Sequence, residues 1–168
     1  MVGKYVNMAD INNRMADQAV GLIELLFFAY RDFVADPDHM LEGLGFGRAH
    51  HRVLHFVGRN PGLTVAGLLD ILQITKQSLA RVLKELIAKG FVFQQEGEAD
   101  RRQRLLRLTP LGEKLRRQLM APQQERFQRA FTESGLAPAQ FEAMLLHLID
   151  VKNQTVAADF AKGQKANG

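Results

Sequence analysis

Cysteine is absent from the 168-residue sequence. Its absence excludes disulfide bonds, thiolate zinc sites, iron–sulfur clusters and redox sensing through a thiol. Long apolar runs are missing too, because the longest nearly apolar stretch, residues 22–30, contains Glu24 and is shorter than the roughly 20 residues of a membrane-spanning helix. The start of the sequence also lacks the apolar core of a secretory signal. We therefore expect a cytoplasmic protein without a membrane segment.

Catalytic sequence signatures are missing as well. The sequence has no G-x-S-x-G, H-E-x-x-H or G-x-x-x-x-G-K-[ST] arrangement. Three glycines at positions 43, 45 and 47 have the wrong spacing for a dinucleotide-binding loop, and they follow no predicted strand. We expect neither an enzyme nor a bound cofactor.

The composition is that of a folded protein with one localised excess of positive charge. Hydrophobic residues make up 46% and charged residues 24% of the chain, and its length suits a single domain. Residues 76–107 contain eight basic and four acidic side chains, which accounts for the whole net charge of +4. A basic patch on a neutral body is typical of a protein that binds a polyanion, although a solvated charged face is the alternative.

The N-terminal third reads as helical. Apolar residues recur in steps of three and four over residues 11–34, which predicts a long first helix that ends before Pro37. Its apolar face is wider than one core requires, and this surplus indicates a surface covered by another subunit. The surplus consists of Ile23, Leu25, Phe27 and Phe28. A second helix is predicted over residues 48–58.

The middle of the chain predicts a helix-turn-helix followed by a hairpin. Thr64 is a suitable N-cap for a short helix, and Thr75 for a helix over residues 76–89. Two extended segments then flank a polar tip, which predicts a β-hairpin. The remaining predicted elements are the hairpin strands 91–95 and 104–108, a helix from Pro110 to about residue 132, a last helix from Pro138 to about residue 160, and a frayed tail over 163–168.

These parts together predict a mainly α fold with a small β-hairpin wing, which is a winged helix-turn-helix. The second helix of the pair fits the major groove of DNA, where its first turns reach base edges. Gln77 suits adenine, Ser78 a base or phosphate, and Arg81 guanine or phosphate. At the N-terminus of this helix, Thr75 and the first backbone amides are expected to donate hydrogen bonds to a DNA phosphate, and Lys84 is expected to contact the DNA backbone. The full predicted set on this helix is Thr75, Lys76, Gln77, Ser78, Arg81 and Lys84.

The hairpin tip carries the remaining predicted DNA contacts. Arg101, Arg102 and Arg104 are expected to approach the minor groove, whose negative potential favours arginine. Asp100 is expected to hold the Arg102 guanidinium and so stabilise the wing. The alternative is a disordered loop whose charges keep it soluble.

Several motifs in this region resemble the MarR (multiple antibiotic resistance regulator) family. They comprise residues 60–68, 75–81 and 86–92, the D-x-R wing at Asp100 to Arg102, and the L-T-x-x-G sequence from Leu108 to Gly112. The motifs cover about residues 60–115, whereas the flanking helices match in length and order. Any one of these motifs alone would be a weak signal, but together and at the family's spacing they are specific for this family.

The resemblance implies a single domain over residues 1–168 that forms a homodimer. Residues 1–36 and 110–162 would supply the dimerisation helices, and residues 48–109 the winged lobe that binds a pseudo-palindromic double-stranded DNA operator. It implies a transcriptional repressor that a small anionic or phenolic effector releases from DNA. No motif marks the residues that bind such an effector.

Two alternatives remain open. His50, His51 and His55 form a cluster that suits a zinc-type, metal-responsive regulator if other ligands complete it, although a polar face lining an interface or effector cleft explains it more simply. The second alternative is a winged helix that binds proteins and no DNA.

Overall fold

The computed structural model describes residues 8–97 and 103–163. The chain divides into two compact units at the bond between Asp36 and Pro37. In the described residues the elements are α1 (Met8–Glu42), α2 (Arg48–Arg59), β1 (Leu63–Thr64), α3 (Val65–Leu72), α4 (Lys76–Ala88), β2 (Val92–Glu96), β3 (Arg104–Leu108), α5 (Pro110–Ser134), α6 (Pro138–Leu148) and α7 (Val151–Ala161). None of the helices described is long and apolar enough to cross a membrane.

Helix α1 is longer than the sequence predicts. We expected it to end before Pro37, but it contains Pro37 and continues to Glu42, so this prediction is wrong. A proline inside a helix costs about 3 kcal/mol because it removes one backbone hydrogen bond and crowds the preceding turn. Pro37 and Leu41 are fully buried. Burying such apolar side chains contributes about 1.5–3 kcal/mol each, which offsets that cost.

The core of the second unit lies between α2, α4, the small sheet and the start of α5. Its centre is formed by Val53, Leu54 and Val57 of α2 together with apolar side chains of α4. Of the five apolar residues that recur at helical spacing in α4, Leu79, Val82, Leu83 and Leu86 are buried there. The fifth, Ile87, is 38% exposed, because it lies at the edge of that stripe near the C-terminal end of the helix.

The helix-turn-helix is capped as its sequence predicts. Thr64 Oγ1 accepts a hydrogen bond from the Gly67 amide at 3.0 Å, and Thr75 Oγ1 accepts one from the Ser78 amide at 3.1 Å. Each threonine satisfies one of the unpaired amides in a first helical turn. The turn between the two helices contains Gln73 in the left-handed conformation (φ 50°).

The hairpin is confirmed and gains a third strand. β2 and β3 are antiparallel, with Val92 opposite Leu108 and Glu96 opposite Arg104. The short strand β1, which the sequence does not predict, pairs with the other edge of β3 and places Leu63 opposite Leu106. The predicted tip residues Asp100, Arg101 and Arg102 lie outside the described residues.

The L-T-x-x-G sequence forms the joint between the sheet and α5. Thr109 Oγ1 accepts a hydrogen bond from the Gly112 amide at 3.0 Å and donates one to the Gly90 carbonyl at 2.6 Å. A Cβ added at Gly112 would lie 2.0 Å from the Phe91 carbonyl oxygen. The motif therefore combines an N-cap, a link to the end of α4 and a close backbone approach that only glycine allows.

The last part of the chain is broken where we expected one helix. The structure has α6 ending at Leu148 and α7 beginning at Val151, so the prediction of a single helix to about residue 160 is wrong. Ile149 is extended (ψ 139°), and Asp150, a residue type favoured at helix starts, occupies the N-cap of α7. Gln154 Nε2 donates to the Ile149 carbonyl at 2.9 Å and satisfies a group that the break exposes.

Candidate nucleic-acid interface

The exposed face of α4 and its N-cap residue carry six of the predicted DNA contacts. Leu79, Val82, Leu83 and Leu86 anchor the opposite face of the helix in the core. The side chains predicted to meet DNA are all exposed, and they are Thr75, Lys76, Gln77, Ser78, Arg81 and Lys84. The helical period of the sequence therefore separates a buried apolar stripe from a polar and basic face.

The hydroxyl groups at the start of α4 bond to each other. Thr75 Oγ1 accepts the Ser78 amide and donates to Ser78 Oγ at 2.9 Å, so its single proton is already used. Ser78 Oγ accepts this hydrogen bond, and its own hydroxyl proton remains available to donate to another partner. Ser78 is thus left as a donor that suits an acceptor, such as a phosphate oxygen or a base carbonyl, while Thr75 acts on the helix itself.

Arg81 has an acidic neighbour that the sequence analysis missed. Glu85 is the single acidic residue of α4, and its Oε1 lies 4.0 Å from Arg81 Nε. Its other oxygen, Oε2, lies 2.8 Å from His50 Nε2. The available sequence signal was the spacing of four between Arg81 and Glu85, which places them side by side on a helix. Nothing local in the sequence indicates His50 as the further partner.

The histidine cluster does not assemble into a metal site in the described part of the chain, where no group of three or more His, Asp or Glu side chains could hold an ion. Both ring nitrogens of His50 have partners within the protein. Nδ1 accepts a hydrogen bond from the Gly47 amide at 3.1 Å, and Nε2 contacts Glu85. Burial lowers the pKa of His51, and nearby Arg52 lowers it further while Asp38 opposes the shift. Burial also lowers the pKa of His55 to about 4, with smaller effects from His51, Arg116 and Arg59.

The described arginines of the hairpin are held by partners on the neighbouring strand. Arg104 Nη1 donates to Glu96 Oε1 at 2.9 Å, and the two residues face each other in the β2–β3 register. Arg107 Nε donates to Gln95 Oε1 at 3.1 Å. Arg104 remains about half exposed, so its guanidinium is positioned on the hairpin and still accessible.

The described residues include two exposed apolar surfaces, one in each unit. In α1 the exposed residues include the predicted surplus of Ile23, Leu25, Phe27 and Phe28, together with Val20, Leu22, Leu26 and Tyr30. In the second unit, Phe127, Phe131 and Phe141 line a groove of about 470 Å³ between α5, α6 and α7. Exposed Met144, Leu148 and Val151 lie on the same helices. Contiguous apolar surface of this kind is typical of an interface between proteins.

Comparison with known proteins yields similarity in both sequence and fold. Residues 44–103 match the sequence model of the MarR family. The HTH-type transcriptional regulator PetP of Rhodobacter capsulatus is 47% identical over 129 residues, which cover 76% of this chain and 78% of PetP. Apo MarR of E. coli is similar in structure, with a TM-score of 0.57 and 22% identity over 77% of this chain and 97% of MarR. The S. aureus MepR–DNA complex gives a TM-score of 0.57 and 22% identity over 74% of this chain and 91% of MepR.

Proposed function

Because the chain belongs to the MarR family of helix-turn-helix transcriptional regulators, we propose that it binds a pseudo-palindromic double-stranded DNA site as a homodimer. The observation that carries this proposal is the exposed polar and basic face of α4, whose other face is fixed in the core. A helix of this size fits the major groove. Helix α4 is then the recognition helix of each protomer.

The side chains of the recognition helix divide between reading bases and gripping phosphates. Gln77 and Arg81 have the planar groups that bond adenine and guanine edges in pairs. Lys76 and Lys84 offer point charges that neutralise phosphates, and Ser78 donates its free proton to an acceptor. On the hairpin, we propose that Arg104, together with Arg101 and Arg102, approaches the minor groove and that Asp100 holds the Arg102 guanidinium and so stabilises the wing.

Dimerisation is proposed from the exposed apolar surfaces. The α1 face from Val20 to Tyr30 and the groove lined by Phe127, Phe131 and Phe141 are both surfaces that a second copy would cover. Under this proposal residues 1–36 and 110–162 contribute the dimer contacts, and residues 48–109 form each DNA-binding lobe. A two-fold dimer matches half-sites about one helical turn, roughly 10 bp, apart.

Regulation is proposed as repression that a small anionic or phenolic effector relieves. The support is family membership, together with the general requirement that an effector bind the two lobe spacings with different affinity. Titration of candidate anions and phenols against the protein–DNA complex tests it. Release of DNA at a saturable effector concentration is expected, and retention of DNA with every such compound would contradict the mechanism.

Selection from a pool of random duplexes tests the DNA proposal. Wild-type protein is expected to enrich an inverted repeat, and its affinity should fall with salt at a log–log slope of about −0.9 per neutralised phosphate. Arg81→Ala or Gln77→Ala should weaken binding to the enriched duplex by about 1–3 kcal/mol and relax the preference at one position.

Lys84→Ala is the matched control on the same helix face. It should weaken all duplexes alike and reduce the salt slope by about one. Failure of the wild type to enrich any sequence over competitor DNA would overturn the proposal and favour a protein-binding module.

A further inference from the structure

A buried histidine is connected to the exposed arginine of the recognition helix through one carboxylate. His50, in α2, is 7% exposed and lies beneath α4. Its Nε2 is 2.8 Å from Glu85 Oε2, and Glu85 Oε1 lies 4.0 Å from Arg81 Nε. The Arg81 side chain is 77% exposed on the face that the proposed function assigns to DNA. The three side chains therefore run from the core to that surface.

The orientation of the His50 ring is fixed on three sides. The Gly47 amide donates to Nδ1 at 3.1 Å, so in the neutral ring the proton is on Nε2 and is donated to Glu85. The ring stacks on Phe46, with centroids 4.5 Å apart and planes inclined by 16°. Lys89 in turn lies over the Phe46 ring, 4.7 Å from its centroid, and donates to the Leu44 carbonyl.

A carboxylate on a DNA-facing helix carries an electrostatic cost that needs an explanation. Glu85 is partly exposed and would repel nearby phosphates, which weakens binding to any DNA. The same carboxylate lies within ion-pair distance of the Arg81 guanidinium and attracts it. Restricting a flexible side chain before binding lowers the entropy lost when it meets a base.

We infer that His50 and Glu85 are positioning residues for sequence recognition, in which His50 holds the Glu85 carboxylate and Glu85 directs the Arg81 guanidinium toward a base. The inference rests on the proposed DNA-binding function. These contacts would increase selectivity among DNA sequences, while the Glu85 carboxylate lowers the affinity for DNA of any sequence. A purely structural staple between α2 and α4 would instead affect stability and leave the sequence preference unchanged.

Two variants and one control test separately the contact between Glu85 and Arg81 and the contact between His50 and Glu85. Glu85→Gln retains an oxygen that accepts from His50 but removes the charge that attracts Arg81. His50→Asn retains an acceptor at the position of Nδ1 for the Gly47 amide and loses the donor to Glu85. His50→Gln is the matched control, because its amide reaches the position of Nε2 and keeps that donor.

The experiment compares full-length variants by selection from the random duplex pool and by titration of the enriched and a scrambled duplex. Glu85→Gln is expected to reduce the preference at the Arg81 position by about three- to tenfold and to raise affinity for the scrambled duplex. His50→Asn should reduce the same preference without raising that affinity, because Glu85 keeps its charge. His50→Gln should retain the wild-type preference.

The outcomes distinguish this inference from the function on which it rests. If wild type enriches no sequence, the proposed function fails. If wild type is selective and Glu85→Gln has the same profile, the inference is wrong while the function stands. If Glu85→Gln changes the profile while His50→Asn keeps that of the wild type, the role of His50 is overturned. In an Arg81→Ala background Glu85→Gln should no longer change the preference, and a persisting change would overturn the route through Arg81 even if a His50 variant fails to fold.

Discussion

His55 shows how one buried side chain makes the stability of this protein depend on pH. Burial holds its pKa at about 4 in the folded chain, against an ordinary value of 6.5. Between these values the unfolded chain binds a proton that the folded chain does not. The stabilising contribution is therefore complete above pH 6.5 and is lost as the pH falls toward 4.

From this difference we expect the free energy of unfolding to fall by about 2 kcal/mol between about pH 7 and pH 5 through His55 alone. Chemical denaturation at one protein concentration measures the loss. His55→Gln, which does not titrate, should have a flatter profile over the same range. His51→Gln measures the second contribution, because burial also lowers the pKa of His51, and it should flatten the profile in the same direction. Equal profiles for wild type and His55→Gln would contradict the assignment.

At the same scale, local contacts could be predicted from the sequence and distant ones could not. The caps formed by Thr64, Thr75 and Thr109 involve amides three residues away, so residue type and position are sufficient to identify them. The contact between His50 and Glu85 spans 35 residues, whereas the local pattern at His50 indicates only a histidine cluster. The predictions for Asp100, Arg101 and Arg102 remain predictions.

At the scale of elements, Gly112 controls how α5 leaves the sheet. An added methyl group would lie 2.0 Å from the Phe91 carbonyl oxygen, and that backbone is held by the Thr109 amide at 3.1 Å. Neither side can move away without breaking this joint. We expect Gly112→Ala to lower the free energy of unfolding by about 3 kcal/mol, the upper end of overpacking costs, and thermal unfolding measures it.

The control for that substitution is Gly43→Ala. An added Cβ at Gly43 meets nothing within 4 Å, so its effect should remain within about 0.5 kcal/mol. Similar Tm values for Gly112→Ala and Gly43→Ala would show that the joint tolerates a side chain and that the close approach is not required.

Element boundaries were predictable where the local signals agreed with the tertiary packing. The hairpin, α2 and the helix-turn-helix fall where periodicity and turn residues indicate. The passage of α1 through Pro37 depends on burying Pro37 and Leu41, which no local rule reveals. The break between α6 and α7 carries a weak signal in Asp150, but the apolar periodicity on both sides favoured one helix.

At the scale of the whole molecule, the apolar face of α1 is the feature that the single chain leaves unexplained. Leu22 is 66% exposed, and its neighbours on this helix include several other exposed apolar side chains. Under the proposed dimer a second copy covers this face. A carboxylate at position 22 would then be taken out of water without a partner, at a cost of several kcal/mol.

We therefore expect Leu22→Glu to raise the dimer dissociation constant by at least about tenfold, measured by sedimentation over a concentration series. The affinity for the enriched inverted repeat should also fall, because a monomer has one lobe and binds only one half-site. Gln18→Glu adds the same charge one turn earlier on the same helix face, where a polar side chain is already present, and should weaken the dimer less than Leu22→Glu does. Because Leu22 is exposed in the single chain, the helical circular dichroism signal should be retained. A Leu22→Glu protein that sediments as wild type does would show that this face is not the interface.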